Sequence, residues 1–236
     1  MIGFDPMYLA FALPGLLLAG IASLMTSGTF KKYSKIRSAK GLTGAEAARR
    51  LLADAGVNDV RIEQVSGHLS DHYDPRSKVL RLSPQVYGEN SLSAIGVACH
   101  EAGHALQHAQ GYMWLNFRSA MVPTVNISSK FSYIVLIAGF LLSNSNPIFG
   151  NNLIIAGIIL FSASVLFSII TLPVEWDASH RAKLLMVESG AVDRIEAQSA
   201  GAVLNAAFLT YLASAITSLL TLLYYLWRSG LIGGRR

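Results

Sequence analysis

Apolar positions along this chain gather into long unbroken runs with one extended polar stretch between the first run and the rest. Residues 7–25 carry no charge and are enough to cross ~30 Å of hydrocarbon as a helix. Residues 153–172 and 203–227 read the same way. The latter run ends in Tyr224, Tyr225 and Trp227, a set of interfacial anchors. Residues 131–142 are a shorter run, expected to extend back past Lys130 toward Pro123 or forward through Ser143-Asn144. The pattern predicts about four transmembrane helices.

The polar stretch, 31–119, has the signals of a small α+β region. Thr43 and Glu46 form a T-x-x-E capping box before an Ala/Leu/Arg-rich helix that Gly56 closes. Strands are predicted at 60–65, 68–73 and 78–82. The last two are joined by a type I turn at Asp74-Pro75-Arg76-Ser77. A helix over 91–110 follows, stopped by Gly111.

Composition agrees with a membrane protein. Of the 236 residues, 52% are hydrophobic and 14% charged, against a usual charged share of about 25%. The net charge of +5 is placed by topology rather than by nucleic acid. Lys31, Lys32, Lys35, Arg37 and Lys40 follow the first apolar run with no acid among them, and no basic stripe is interleaved with aromatics. Residues 31–130 hold 13 Lys and Arg, 173–202 hold 3, and only Arg228, Arg235 and Arg236 fall in the expected outer segments. The first run reads as a retained anchor with an outer N-terminus, since Asp5 is the one charge ahead of it. The expected organisation is an anchor at 1–30, a cytoplasmic α+β region at 31–120, two transmembrane helices at 121–172, a cytoplasmic helix at 173–202 and a last transmembrane helix and tail at 203–236. The single cysteine, Cys99, excludes an intramolecular disulfide and reads as a small buried residue.

The chemistry concentrates at His100-Glu101-Ala102-Gly103-His104, an H-E-x-x-H sequence inside the 91–110 helix. Residues four apart share a helical face, so both imidazoles can reach one zinc ion. Glu101 flanks that face and can serve as general base toward a water on the open coordination position. A third protein ligand is needed, with His108, Glu175, Asp177 and His180 as candidates. Three histidines along one straight helix converge poorly on a tetrahedral ion, which disfavours His108. Glu175 follows Pro173 at the expected start of a helix reaching about Ser189. It is favoured over Asp177, which on a helix points nearly the opposite way. Two spans separate Glu175 from His104, so both fall on one side of the membrane. Residues 69–73 or 79–82 could offer an edge strand to an extended substrate. His68, Asp71, His72 and Asp74 fit turn formation and exposure better than chemistry. Tyr211 and His180 are possible oxyanion donors that spacing does not place.

Asp71-His72-Tyr73-Asp74-Pro75, Leu80-Arg81-Leu82-Ser83, the stretch from Gly96 to Gln107 and Leu172-Pro173-Val174-Glu175-Trp176-Asp177-Ala178-Ser179 together resemble the YugP-like neutral zinc metallopeptidases of bacterial membranes. The likeness covers nearly the whole chain. It implies a multi-pass bacterial plasma-membrane zinc peptidase with His100 and His104 as ligands and Glu101 as base. A weaker similarity is to membrane quality-control zinc peptidases, whose Glu ligand precedes an Asp. Here Ala178 and Ser179 stand where that Asp is expected, leaving the partner of the first histidine open.

The expectation is therefore a mainly α membrane protein with a small zincin-like, gluzincin-type cytoplasmic region. It would hold one Zn2+ per chain at His100, His104 and Glu175 and hydrolyse peptide bonds of membrane or membrane-proximal proteins. Its partners would be a peptide substrate and the lipid bilayer, without nucleic acid. Two rivals are an intramembrane site-2-type protease and a non-catalytic zinc-binding scaffold. Glu89, Asn90, Gln107, His108 and Gln110 make full insertion of the motif helix unattractive. The intact Glu101 argues against a purely structural site.

Overall fold

A computed structural model describes residues 6–233. Residues 1–5, including Asp5 of the expected anchor, and residues 234–236, with Arg235 and Arg236 of the basic tail, lie outside the described residues. The described chain runs α1 (Pro6–Tyr33), α2 (Gly44–Asp54), β1 (Arg61–Gln64), β2 (His72–Asp74), β3 (Val79–Leu82), α3 (Pro84–Gly88), α4 (Leu92–Ala109), α5 (Met113–Leu142), α6 (Pro147–Glu188) and α7 (Arg194–Arg228). Among the described residues, α1, α5, α6 and α7 are long and apolar enough to cross a membrane.

All four long helices overrun the expected runs. The helix predicted from 131 reaches back through Pro123 to Met113, and the one predicted from 203 starts at Arg194. The larger correction is at Pro173. It does not open a new helix but sits inside α6, which continues 42 residues to Glu188. A proline in a helix costs one hydrogen bond and a local clash but keeps a helical φ, and spanning helices tolerate it where neighbours serve the backbone. The carbonyl that Pro173 leaves without its donor is that of Ile169, while Tyr112 Oη (3.5 Å to the Pro173 carbonyl) and Gln107 Nε2 (2.8 Å to the Val174 carbonyl) anchor the turn that begins at the proline.

The chain divides into two compact units. One takes the chain up to Ile21, Phe117–Leu172 and the chain from Tyr211 onward. Its small core is Leu136, Ile154 and Ile158. Gly157 admits the Leu136 side chain where an added Cβ would meet it at 2.6 Å, the close approach typical of packed spanning helices. Ser168 and Ser218 hydrogen-bond across α6 and α7 at 2.9 Å.

The second unit takes Ala22–Asn116 and Pro173–Thr210. Its buried core joins Leu51 and Leu52 of α2, Leu80 and Leu82 of β3, Ile95, Ala98, Cys99 and Leu106 of α4, Met186 of α6 and Leu204 of α7. The Thr43 capping box forms as the sequence predicts, with Glu46 returning to the Thr43 backbone. Ser91 caps α4 through the Ala94 N–H. The sheet order is β1-β3-β2, with β1 parallel and β2 antiparallel to β3. Two strand expectations change. Residues 68–71 are not strand, because Gly67 (φ 118°) and Leu69 (φ 55°) break extended backbone there. Residues 79–82 cannot offer an edge, because β3 is paired on both sides. The short α3 has no counterpart among the predicted elements.

Candidate metal centre

α4 presents His100 and His104 one turn apart, with ring centroids 4.8 Å from each other. The α6 segment within the same unit supplies Glu175, which is 1% exposed. Its Oε2 lies 3.2 Å from His100 Nε2 and 3.5 Å from His104 Nε2. Ligand atoms of these three side chains all lie within 4.8 Å of one another, the one such trio among the described residues. Donors around tetrahedral zinc, with bonds of ~2.0–2.1 Å, sit about 3.3 Å apart. The donor set and its spacing fit that ion.

The approach of the two helices depends on Gly103. A Cβ there would stand 2.6 Å from the Ala178 carbonyl oxygen. Small residues flank it at Ala102 and Ala105, both buried.

The remaining ring nitrogens are also engaged. His100 Nδ1 is 3.1 Å from Ser179 Oγ, and His104 Nδ1 is 2.9 Å from Gln107 Oε1. Gln107 is fully buried, and its Nε2 donates to both the Val174 carbonyl and Asp177 Oδ2 at 2.8 Å. Arg181 Nε donates to the same carboxylate oxygen at 2.5 Å and its Nη1 donates to Gln110. Burial works against charging His104, yet its hydrogen bond to Glu175, the fields of Glu175 and Glu101, and the Gln107 contact outweigh it. They raise the imidazole pKa above its ordinary value. The centre therefore favours positive charge.

The other expected residues fall elsewhere. Glu101 lies half-buried on α4 between the two histidines. His108 is half-buried and hydrogen-bonds with Tyr73 Oη through Nδ1 at 2.8 Å, outside the His-His-Glu trio. Burial pushes the Tyr73 hydroxyl up to about 12, so it stays protonated. Asp177 faces Gln107 and Arg181, away from the trio, as its spacing from Glu175 predicts. His180 and His68 are exposed, and Tyr211 belongs to the first unit. Asp71 accepts from the Ser83 N–H and hydroxyl, while Asp74 accepts from Arg76 N and Ser77 Oγ, so both serve the sheet and its turn. Cys99 is buried without exposure. Sequence reasoning missed Gln107 and settled no role for Ser179. Their spacing, three past His104 and four past Glu175, was the available signal.

No solved structure matches this chain. The chain is 47% identical over 204 residues to the "Putative membrane protease YugP" of Bacillus subtilis (strain 168), covering 86% of this chain and 88% of that protein. A family model described as "Putative neutral zinc metallopeptidase" matches residues 8–230, and the chain belongs to that family.

Proposed function

We propose that this protein is a membrane-embedded zinc endopeptidase that holds one ion per chain with His100, His104 and Glu175 and uses Glu101 as general base. The convergence of two Nε2 atoms and one carboxylate, with both Nδ1 atoms engaged by other side chains, carries this reading. When bound, zinc supplies a Lewis acid and lowers the pKa of a water it holds toward ~7. Glu101 would accept at its carboxylate the proton a water sheds as its oxygen bonds to the scissile carbonyl carbon, and would deliver it to the amine nitrogen as the C–N bond breaks. β2 borders the sheet on the side away from β1 and lies against α4. Its outer edge supports binding of an extended substrate by strand addition. The substrate class is membrane or membrane-proximal protein, and the basic residues after α1 support a cytoplasmic location for the second unit.

The test is Glu101→Gln in purified full-length protein. Zinc content should stay at one per chain while peptide cleavage falls about 100- to 10,000-fold. Chelation should abolish wild-type cleavage, and zinc should restore it. Cleavage that survives the substitution removes Glu101 from its role, and cleavage indifferent to chelator removes the metal.

A further inference from the structure

We infer that Gln107 is a positioning residue that makes His104 a metal ligand and locks α6 against α4, and this rests on the metal-centre reading above. A buried amide has two donors and one acceptor oxygen. Both donors of Gln107 are directed at atoms that can only accept, the Val174 carbonyl and the Asp177 carboxylate, each at 2.8 Å. That fixes which end of the amide faces His104. The oxygen does, 2.9 Å from Nδ1, and it can only accept. His104 must therefore carry a proton on Nδ1, which leaves Nε2 as the nitrogen whose lone pair can bind the ion.

The same amide sets helix register. Val174 directly precedes Glu175, so the bond from Gln107 holds the α6 backbone next to the carboxylate that completes the trio. Asp177 acts through Gln107 and is itself held by Arg181, whose other nitrogen donates to Gln110 one residue past the end of α4. α4 and α6 are thus tied twice by polar side chains. At His100 a single hydroxyl, Ser179, does the corresponding work. A hydroxyl can donate or accept, so it does not dictate a tautomer as a doubly pinned amide does. The two histidines are unequally supported, and His104 depends more on its partner.

The experiment measures zinc affinity of the full-length protein in detergent by competition with a chromophoric chelator, with Co2+ absorption as a second readout. The set is wild type, His104→Ala, Gln107→Met, and the double exchange Gln107→Glu with Asp177→Asn. Gln107→Met keeps length and volume but removes the acceptor. It should weaken zinc 10- to 100-fold, the usual effect of losing a histidine's outer partner, and shift the Co2+ bands while helix content is unchanged. The double exchange restores an acceptor for Nδ1 and a donor–acceptor pair between positions 107 and 177, but leaves the Val174 carbonyl without its donor. It should recover part of the affinity lost in Gln107→Met. Equal zinc affinity and unchanged Co2+ bands in Gln107→Met overturn the proposal and leave the metal centre standing. So does a double exchange no better than Gln107→Met, or one that binds no zinc where Gln107→Met fails to fold. A wild type that binds no zinc, or binds it as well after His104→Ala, overturns the centre itself and this inference with it.

Discussion

Gly103 shows how one absent methyl group decides the geometry of the site. In an exposed helix interior Gly→Ala adds about 1 kcal/mol of stability. At position 103 the new Cβ would meet the Ala178 carbonyl oxygen at 2.6 Å. That atom is backbone and cannot swing away, so α6 must shift, at a cost of typically 1–3 kcal/mol. The clash should win, because Glu175 sits on the segment that would move. Gly103→Ala is expected to lower the thermal stability of the detergent-solubilised protein by several degrees and weaken zinc binding. Gly28→Ala, exposed inside α1 with nothing within 4 Å of its added Cβ, should leave zinc binding unchanged and thermal stability equal or slightly raised. Equal behaviour of the two variants would remove Gly103 from this role. At this scale the sequence was legible where spacing alone carries geometry. His100 and His104 share a face because they are four apart, and Glu175 and Asp177 diverge because they are two apart. Gln107 was not legible, because its part depends on which carbonyl and carboxylate α6 presents to it, and that is a property of packing.

Among the elements, the β2–β3 hairpin depends on the charge of Asp74. Its carboxylate accepts from Ser77 Oγ at 2.7 Å and Arg76 N at 3.0 Å, with Arg81 Nη1 at 3.3 Å. The hydroxyl, the backbone N–H groups of the turn and the guanidinium hold its pKa down at about 2, below the ordinary 3.8. A depressed carboxyl stabilises the folded state fully above its unfolded value, and the benefit fades as pH falls from near 4 toward 2. Asp74→Ala should therefore melt earlier than wild type at pH 6 and show a shallower loss of stability between pH 4 and 2. Parallel acid profiles for the two proteins would show that the turn does not depend on this charge. The hairpin was legible from Asp74-Pro75-Arg76-Ser77, and α2 from its capping box, because those signals are local. Which strand lies in the middle was not, since the pairing of β1 with β3 skips over β2 in sequence. Pro173 misled for a related reason. It is a local helix-start signal, and here a 42-residue helix continues through it.

For the whole molecule, the distribution of charge decides which side of the membrane the candidate centre is expected on. The four long helices are fixed by length and composition, but orientation comes from charge. The basic residues concentrate at 31–130 and 173–202, and positive segments are retained on the cytoplasmic side. α5 and the part of α6 ahead of Pro173 lie between His104 and Glu175, and one crossing by each would return the chain to the side it left. The chain lends itself to a direct measurement, because Cys99 is fully buried and burial pushes its thiol up to about 12. Cys99 should thus stay silent toward maleimides in the folded protein. Arg76 in the hairpin turn and Ser145 between α5 and α6 are both exposed. Ser145→Cys should react with a membrane-impermeant maleimide on intact cells, and Arg76→Cys only in inverted vesicles or after permeabilisation. The reverse pattern would place the centre outside the cell and assign its substrates to the other face. Labelling of both positions from one side would mean that α5 does not cross, and the even count joining His104 to Glu175 would then fail.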